Sequence, residues 1–396
     1  MGRYKLICKR CNEEQNDYAP LCQRCQGLTD VVYPLDSLQL YQDENPYRRF
    51  ADLLPVREVS HLPENVSYTP LVKAEALGRQ LGLKSLYLKN ETAQPTCTTK
   101  YRMAWVALAY LYENGVRHFC TSSTGNSSTA YAAVIPHFPE LKMALFTAED
   151  FRHRVNYEPS PQIQHFILRK GTFVDASNAA AAYAAEQGYT AERGFFNPGR
   201  REGLKLAFFE AVDQIQAPID WYVQAVSSAM GVYGTHTGAQ ELLALGLIER
   251  GPRLLCVQQA SCAPQVTAWQ AQTDRIRSQD IVSQPQGLAS AILRGDPSRT
   301  YPYMHRVVKD SGGAFVSVTE TEQKEARRWV QDLEGISICY ASATAVAGVA
   351  KACKQGLIDP QQRILINLTG ADRSVQTLNT GEVWLEKSPD GWQKTA

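Results

Sequence analysis

The amino-acid sequence predicts an α/β fold with two lobes and a small metal-binding ribbon at its N-terminus. A chain of 396 residues exceeds one comfortable hydrophobic core, so two large lobes are expected. From about Thr69 onward, β-rich runs with few charges alternate with Ala-rich helical patterns, which indicates parallel sheets covered on both faces. Four cysteines lie within the first 25 residues, and their spacing predicts the ribbon.

The four cysteines form two Cys-x-x-Cys pairs, Cys8 with Cys11 and Cys22 with Cys25, separated by 10 residues. Two such pairs can direct four thiolates at one point, which suits a tetrahedral zinc ion. The pattern contains no fifth ligand, so we interpret the site as closed and structural. The alternatives are four unrelated thiols or two disulfides.

Composition and charge narrow the possible functions. The chain is 44% apolar and 20% charged with a formal net charge of +1, so nothing indicates nucleic-acid or membrane binding. The N-terminus shows no hydrophobic signal core, and no run of about 18 apolar residues occurs. The other cysteines lack a disulfide-framework spacing. Together these features predict a cytoplasmic protein with reduced thiols.

The expected domain order follows from these patterns. The ribbon is expected at 1–35, an arm and the first part of the larger lobe at 36–100, the smaller α/β lobe at 101–195, and the rest of the larger lobe at 196–396. The arm contains aromatic and apolar residues that need cover, either from the larger lobe or from a second subunit. A homodimer is therefore expected.

Three loops after predicted strands indicate a ligand with two anionic groups. The loops span 121–126, 227–231 and 369–370, and helical patterns follow the first two. Small residues there let backbone N–H groups approach an anion, and the helix adds its positive end. Any one such loop is also a common turn. Phosphate and carboxylate are the natural pair of anions, and the dinucleotide and Walker fingerprints are missing.

Lys100 is the candidate reactive group. It follows a Thr-rich loop and opens a helix, 103–113, that is apolar nearly all round. The positive end of the helix and Arg102 both favour the neutral amine, which is the form that builds a Schiff base. The alternative is a solvated surface lysine.

These residues resemble the threonine synthase group of fold-type-II pyridoxal-phosphate enzymes, whose body is similar to the tryptophan synthase β chain. The family reads Lys-x-Glu, then Asn-Pro-Thr-Gly-Ser-Phe-Lys-Asp-Arg-Gly; this chain has Lys89-x-Glu91, then Gln-Pro-Thr-Cys-Thr-Thr-Lys-Tyr-Arg-Met at 94–103. The stretches at 122–127, 197–203 and 227–234 also resemble family motifs. An N-terminal four-cysteine ribbon occurs in some members.

The resemblance implies roles for individual residues. Lys100 is expected to hold pyridoxal phosphate and to move the α-proton, and Thr369 to place a hydroxyl on the pyridine nitrogen, which favours elimination and replacement over transamination. The expected remaining cofactor contacts are Asn126, Ser227, Ser228, Ala229, Met230 and Gly231. The expected contacts to the substrate are Ser123, Thr124, Gly125 and Ser127, together with Lys89, Arg102 and Arg200 as cations for a phosphate leaving group. Each of these cations has a surface or interdomain ion pair as its alternative.

The chain departs from the family motif at Thr99, Tyr101, Met103 and Ala229. Tyr101 has two interpretations, an extra acid or base and a packed aromatic. The leading expectation is a threonine synthase-like lyase that converts O-phosphohomoserine to threonine. The Thr-Cys-Thr-x-Lys stretch is also similar to the cysteate synthase branch, which combines O-phosphoserine with sulfite. A non-catalytic sensor of pyridoxal phosphate or an amino acid is the alternative from another class. Histidines without ligand spacing are interpreted as structural: His118, His137, His153, His165 and His236.

Overall fold

The computed structural model describes residues 4–15, 18–374, 381–389 and 391–395. The chain divides into two compact units. The first comprises Met1–Ser67, Lys100–Gly203 and Arg373–Ala396, and the second comprises Tyr68–Thr99 and Leu204–Asp372. An α/β fold was expected, and each unit contains one largely parallel six-stranded sheet. None of the helices in the described ranges is long and apolar enough to cross a membrane.

The N-terminal ribbon is a three-stranded antiparallel sheet in the order β2-β1-β3. Its strands are β1 (Lys5–Cys8), β2 (Glu14–Gln15) and β3 (Thr29–Val32). The turns between the strands use the left-handed backbone, with φ of 58° at Asn12 and at Gln26. Asn12 directly follows the first cysteine pair and Gln26 directly follows the second, so the chain reverses direction after each pair.

The arm after the ribbon is buried within the first unit. Helix α1 (Pro46–Arg49) begins at Asn45, whose side chain accepts the Tyr47 N–H, and Pro46 occupies the first helical position where no donor is needed. Tyr47 and Phe50 are buried. Tyr47 and Phe50 are therefore covered by their own chain, whereas Tyr41 is 41% exposed.

The first unit is built on the sheet β15-β14-β8-β7-β6-β9, in which only the β14–β15 pair is antiparallel. Helix α5 begins with a reciprocal pair of hydrogen bonds between Thr172 and Asp175 and ends at Gly188 in the left-handed region. The strands are β6 (His118–Ser122), β7 (Lys142–Ala148), β8 (Ile163–Leu168), β9 (Thr190–Ala191), β14 (Val383–Ser388) and β15 (Gly391–Lys394). The helices are α3 (Lys100–Glu113), α4 (Asn126–Val134), α5 (Phe173–Gln187) and the start of α6 (Pro198–Ile215).

The second unit is built on the sheet β12-β11-β10-β13-β5-β4, in which only the β4–β5 pair is antiparallel. Helices cover its faces, and α11 is apolar along most of its length because it packs in the hydrophobic core. The strands are β4 (Leu71–Lys73), β5 (Ser85–Asn90), β10 (Trp221–Ala225), β11 (Arg253–Gln259), β12 (Ala314–Val318) and β13 (Arg363–Leu368). The helices are α2 (Glu75–Leu81), α7 (Met230–Ala244), α8 (Pro264–Gln270), α9 (Tyr301–Asp310), α10 (Glu320–Glu334) and α11 (Tyr340–Lys354).

The compact units differ from the expected domains in three segments. Residues 196–203, expected in the larger lobe, belong to the first unit. The arm belongs to the first unit and not to the larger lobe, because its 3-10 turn near His61 and the backbone of Arg57 and Glu58 bond to Glu113 at the end of α3. The C-terminal segment also belongs to the first unit, because β14 pairs in parallel with β8. Long-range strand pairing of this kind has no local sequence signal.

Candidate active site

The loop before Lys100 is bonded to the carboxyl end of β13 within the second unit. The Thr99 N–H donates to the Thr369 carbonyl oxygen at 2.9 Å, and the Ala371 N–H donates to the Cys97 carbonyl oxygen at 2.9 Å. Thr98 and Gly370 form an antiparallel bridge between these two bonds. Backbone pairing therefore fixes where the chain emerges to enter Lys100.

Gly370 permits this close approach. A Cβ on Gly370 would lie 2.7 Å from the Cys97 carbonyl oxygen, a distance that real Cβ atoms essentially never show. On its other side the Ser342 hydroxyl donates to the Gly370 carbonyl oxygen at 2.7 Å, and the Gly370 N–H donates to Ser342 Oγ at 3.0 Å. Gly370 is therefore held from both sides, and any side chain there must displace the loop.

The loop after β10 forms a cradle of small residues. Ser227 and Ser228 are half-exposed, and Ala229, in the left-handed region with φ of 61°, is the N-cap of α7. Gly231 approaches the side chain of Gln224, since a Cβ there would lie 2.8 Å from Nε2. Backbone N–H groups at a helix N-terminus suit a phosphate group. The glycine of the family motif is replaced by Ala229 without loss of the left-handed turn.

Two hydroxyl groups border the end of β13. Thr369 is half-buried, and Thr99 is 2% exposed. The Thr99 Oγ1 has no hydrogen-bond partner among the residues that the structure describes. A buried hydroxyl without a partner costs free energy, so its presence here is consistent with a ligand.

Lys100 is the first residue of α3 and is half-exposed, whereas the helix behind it is buried. Two glycines of α6 let α3 pack closely: a Cβ on Gly199 would lie 2.9 Å from Ala107 Cα, and one on Gly203 would lie 2.9 Å from the Arg102 carbonyl oxygen. The motif at 197–203 thus sets the packing of the helix that begins at Lys100. The four-residue spacing of its glycines is a sequence signal for that packing.

The loop between β6 and α4 is shaped by Ser123. Its buried Oγ accepts the N–H groups of Gly125 at 3.0 Å and Ser128 at 3.2 Å. Gly125 has φ of 121°, which a side chain rarely adopts, and α4 begins at Asn126. Thr124, Asn126 and Ser127 are half-exposed, so their side chains are accessible to a small ligand.

Lys89 does not match its expected role as a cation for the substrate. It is 1% exposed and lies in a buried ion pair, with Nζ at 2.7 Å from Glu210 Oε2. Nζ also donates to the Thr69 carbonyl oxygen and to Gln214. These three partners use the full hydrogen-bonding capacity of an ammonium group. Lys89 is therefore a structural cation of the second unit.

Arg200 is also paired, with Glu192. Its guanidinium bonds both carboxylate oxygens, and Tyr131 and Thr121 complete the buried network. Burial alone would lower the pKa of Arg200, but the charge of Glu192 more than offsets it and raises the pKa, so the guanidinium stays charged. Its Nη1 donates to Ser127 Oγ at 3.3 Å. Arg200 thus supports the loop 123–127 through a hydroxyl, and Arg102, 1% exposed, is buried in α3.

Tyr101 makes an edge contact with Trp105, at 6.4 Å between ring centroids, which agrees with the packed-aromatic interpretation. His165 is likewise structural: it is buried, with Nε2 at 3.0 Å from Thr147 Oγ1 and Nδ1 at 3.2 Å from the Tyr157 hydroxyl. These contacts explain both residues without a role in the chemistry.

The four ribbon cysteines converge on one point. Their Sγ atoms all lie within 4.8 Å of one another, and this cluster is the one candidate metal site found among the described residues. The ribbon docks on the start of α6: the Tyr33 hydroxyl donates to Glu202 at 2.7 Å, and Arg201 pairs with Asp30 at 3.1 Å. The converging thiols fit a tetrahedral metal, as the sequence predicts.

Largely parallel α/β sheets, a lysine at the start of a buried helix, a loop of small residues after β10 and a hydroxyl after β13 are features of the pyridoxal-phosphate enzymes of fold type II. Residues 62–370 match the family described as pyridoxal-phosphate dependent enzymes. The chain belongs to that family.

Relatives and solved structures support this classification. A threonine synthase of Methanocaldococcus jannaschii is 31% identical over 366 residues, which cover 87% of this chain and 86% of the relative. A cysteate synthase of Methanospirillum hungatei is 28% identical over 387 residues, with 93% and 90% covered. Diaminopropionate ammonia lyase from Escherichia coli has the same fold, with a TM-score of 0.63 at 14% identity over 90% of this chain and 93% of that one.

Proposed function

We propose that this enzyme catalyses elimination or replacement on a phosphorylated amino acid, with the conversion of O-phosphohomoserine to threonine as the leading reaction. The observation that carries the proposal is the shared edge of the second sheet. Strands β10, β13 and β5 are neighbours there, so the cradle after β10, Thr369 after β13 and the loop that leads to Lys100 lie at adjacent carboxyl ends. The similarity to threonine synthases supports the choice of substrate.

The residues present fit pyridoxal phosphate. The backbone N–H groups of 227–231 would hold its phosphate. Lys100 would bind its carbonyl carbon, and the Thr369 hydroxyl would contact its ring nitrogen. When bound, the cofactor supplies an electron sink for the pair released on removal of the α-proton. The Lys100 amine, at the start of α3, is the base that would move this proton. The loop 123–127 would orient the substrate carboxylate through its N–H and hydroxyl groups.

A second reaction has a specific observation in its favour. Several cysteate synthases are 27–28% identical to this chain over 93% of its length, so a β-replacement on O-phosphoserine with sulfite is the runner-up. Both substrates should be incubated with the holoenzyme, each with and without sulfite, while phosphate and amino-acid products are measured. Threonine from O-phosphohomoserine supports the leading proposal, and cysteate from O-phosphoserine supports the runner-up.

The same experiment distinguishes an enzyme from a non-catalytic sensor. A sensor would bind an amino acid and change the absorption of the cofactor without releasing phosphate or any product. The departures at Thr99, Tyr101 and Ala229 motivate this alternative. The presence of Lys100, Asn126 and Thr369 together favours the enzyme hypothesis, because a protein that only binds a ligand would not require all three residues.

We also propose a structural zinc ion on Cys8, Cys11, Cys22 and Cys25. The buried contacts of the ribbon with α6 make it part of the first unit, so metal loss should lower stability. The variant Cys22→Ser is expected to contain less than about one zinc per chain and to unfold at a lower temperature, with its cofactor absorption retained. Cys353→Ser, a half-buried cysteine of α11, is the matched control and should keep the metal. A zinc-free wild-type protein would contradict the proposal.

A homodimer in the cytoplasm remains a prediction. The arm supplies less reason for a dimer than the sequence indicated, because Tyr47 and Phe50 are buried by their own chain. Sedimentation velocity decides the point, since one chain has a mass of 44.1 kDa.

A further inference from the structure

We propose that Gln265 positions the loop 227–231 for the phosphate of the cofactor by holding the carbonyl oxygen of Ser227. The inference rests on the proposed function, which assigns that phosphate to the N–H groups of this loop. It identifies a residue of α8, outside the loop itself, that determines the orientation of the loop backbone. All the residues concerned lie within the second unit.

Gln265 bonds directly to the loop. It is the second residue of α8 and is fully buried, and its Nε2 donates to the Ser227 carbonyl oxygen at 2.7 Å. A trans peptide unit directs its C=O and N–H groups in opposite directions. The N–H of Ser228 therefore points away from Gln265, and it donates to none of the residues that the structure describes. The bond on one side of this peptide thus orients an N–H group on the other side that can donate to an anion.

Gln258 fixes the start of α8 and with it the position of Gln265. It lies in β11 and is buried, and its Oε1 accepts the N–H groups of Gln265 at 3.0 Å and Val266 at 3.3 Å. These are the first two N–H groups within α8, because Pro264 has none, and the Ala263 N-cap supplies no side-chain bond. Strand β11 pairs in parallel with β10, the strand that leads into the loop. The two glutamines therefore connect the loop to the neighbouring strand through α8.

The hydrogen bonds that these two glutamines leave unmade favour a positioning role over simple packing. Their amide orientations are fixed, because Gln258 Oε1 accepts from the backbone and Gln265 Nε2 donates to it. Gln258 Nε2 and Gln265 Oε1 then have no hydrogen-bond partner within the described part of the chain. An unpaired buried polar atom costs free energy, and an apolar side chain of the same size would avoid that cost. What the amide of Gln265 provides at this position is its bond to Ser227.

Two ligands that differ only in the phosphate group test the inference. The full-length protein, resolved from its cofactor, is titrated with pyridoxal phosphate and with pyridoxal while the visible absorption is followed. Gln265→Met keeps the length of the side chain and removes the donor. Its dissociation constant for pyridoxal phosphate is expected to rise about tenfold, the value of one hydrogen bond, while that for pyridoxal stays unchanged. Gln265→Asn keeps an amide that is shorter by one methylene, and it should show the same loss of selectivity for the phosphate.

Gln323→Met is the matched control for Gln265→Met. Gln323 is also fully buried in the second unit, its Nε2 donates to Thr344 Oγ1 at 2.7 Å, and its Oε1 has no partner among the described residues. Its bond connects α10 to α11, and neither helix contains a residue of the loop 227–231. The control should therefore lose a comparable amount of stability but keep the wild-type ratio of the two dissociation constants.

A variant of the loop itself separates this inference from the assignment on which it rests. Ser228→Asp places a carboxylate in the loop and should weaken the binding of pyridoxal phosphate much more than that of pyridoxal, because like charges repel. If Ser228→Asp behaved in this way and both Gln265 variants kept the wild-type ratio, the positioning role alone would be refuted. An equal loss for both ligands in the Gln265 variants, or the same loss of selectivity in Gln323→Met, would also overturn it. If Ser228→Asp kept the wild-type ratio as well, the loop would not hold the phosphate, and the proposed assignment would fail together with the inference.

Discussion

The Thr99 N–H donates to the Thr369 carbonyl oxygen at 2.9 Å, which joins the residue before Lys100 to the residue after β13. Two residues separated by most of the chain are thereby adjacent, and both carry a hydroxyl. The bond lies within the second unit and ties the residue before Lys100 to Thr369, the expected partner of the ring nitrogen. The importance of this bond for cofactor binding can be measured in variants of the neighbouring residues Lys100 and Gly370.

Replacement of Lys100 by alanine should abolish the covalent attachment of the cofactor while it leaves the fold intact. Lys100 is half-exposed at a helix start, so its truncation removes little packing. The variant is expected to lack the visible absorption band of the wild-type holoenzyme. After borohydride reduction of the wild type, peptide mass analysis should find the pyridoxyl group on Lys100. A label on another lysine would disprove the assignment.

Lys89→Met is the matched control for Lys100→Ala. It removes the buried partner of Glu210 and should lower the free energy of unfolding by about 3–5 kcal/mol, because an uncompensated carboxylate stays inside the second unit. The cofactor should still attach to Lys100. Urea unfolding followed by circular dichroism measures the loss. A stable Lys89→Met protein with weakened binding of phosphorylated substrates would restore the role that the sequence suggested for Lys89.

These two lysines show how far the sequence could predict the site. The loop at 94–100 and the cradle at 227–231 have local signals, since small or hydroxyl residues stand between a strand and a helix. Lys89 is chemically identical to a substrate cation, and its buried partners, among them Glu210 and Gln214, make it structural. Both of these partners come from α6, far along the chain, and no periodicity indicates such pairs. The same reasoning applies to Arg200 and Glu192.

Gly370→Ala should weaken cofactor binding. A Cβ at 2.7 Å from the Cys97 carbonyl oxygen forces the loop before Lys100 away from β13 and lengthens the bond from Thr99 to Thr369. Close backbone contacts of this kind cost about 1–3 kcal/mol, so the dissociation constant for pyridoxal phosphate should rise by about tenfold. In Gly251→Ala the new Cβ meets its nearest atom at 3.7 Å, and binding should stay unchanged. Equal binding by both variants would show that the loop position is unimportant.

Ala229→Gly should stabilise the protein slightly. Ala229 has φ of 61°, and this left-handed conformation costs a residue with a side chain about 1–2 kcal/mol in the folded state. Glycine would remove that strain, but its greater freedom in the unfolded chain lowers stability by about 0.4–1 kcal/mol. A net gain of about 0.5 kcal/mol in unfolding free energy is expected. Ala182→Gly, at an exposed position inside α5, should instead cost about 1 kcal/mol. Destabilisation by Ala229→Gly would mean that the Ala229 methyl group packs productively.

The fold, like the site, has features that local sequence patterns predict and features that depend on contacts between distant residues. The alternation of strands and helices predicted both parallel sheets, and apolar patterning located the strands of the core. The arm was expected to be covered by the larger lobe or a second subunit, and residues 196–396 were expected in the larger lobe, because chain order was the available guide. Their attachment depends on Glu113 for the arm and on the register of β14 with β8, Val383 opposite Phe166. Neither contact is predicted by the sequence of the residues around it.

His165 should make the stability of the first unit depend on pH. Burial, followed by the charge of Arg152, lowers the pKa of His165 to about 3. An unfolded histidine has a pKa of about 6.5, so between pH 6.5 and 3 the unfolded chain binds the extra proton. Stability from the neutral ring is therefore complete above pH 6.5 and is lost as the pH falls. From pH 7 to 5.5 this loss is about 1 kcal/mol.

His165→Gln isolates this contribution because glutamine can bond Thr147 or Tyr157 without a titrating group. The variant is expected to lose stability at pH 7 through poorer packing, but to lose about 1 kcal/mol less than the wild type between pH 7 and 5.5. Urea unfolding at both values measures the difference, and the Arg152–Glu382 pair beside the ring is present in both proteins. If wild type and variant lost the same stability over this interval, His165 would not be the neutral buried base. In that case Glu382, with a carboxylate oxygen 3.7 Å from Nδ1, would be holding the ring in its protonated form.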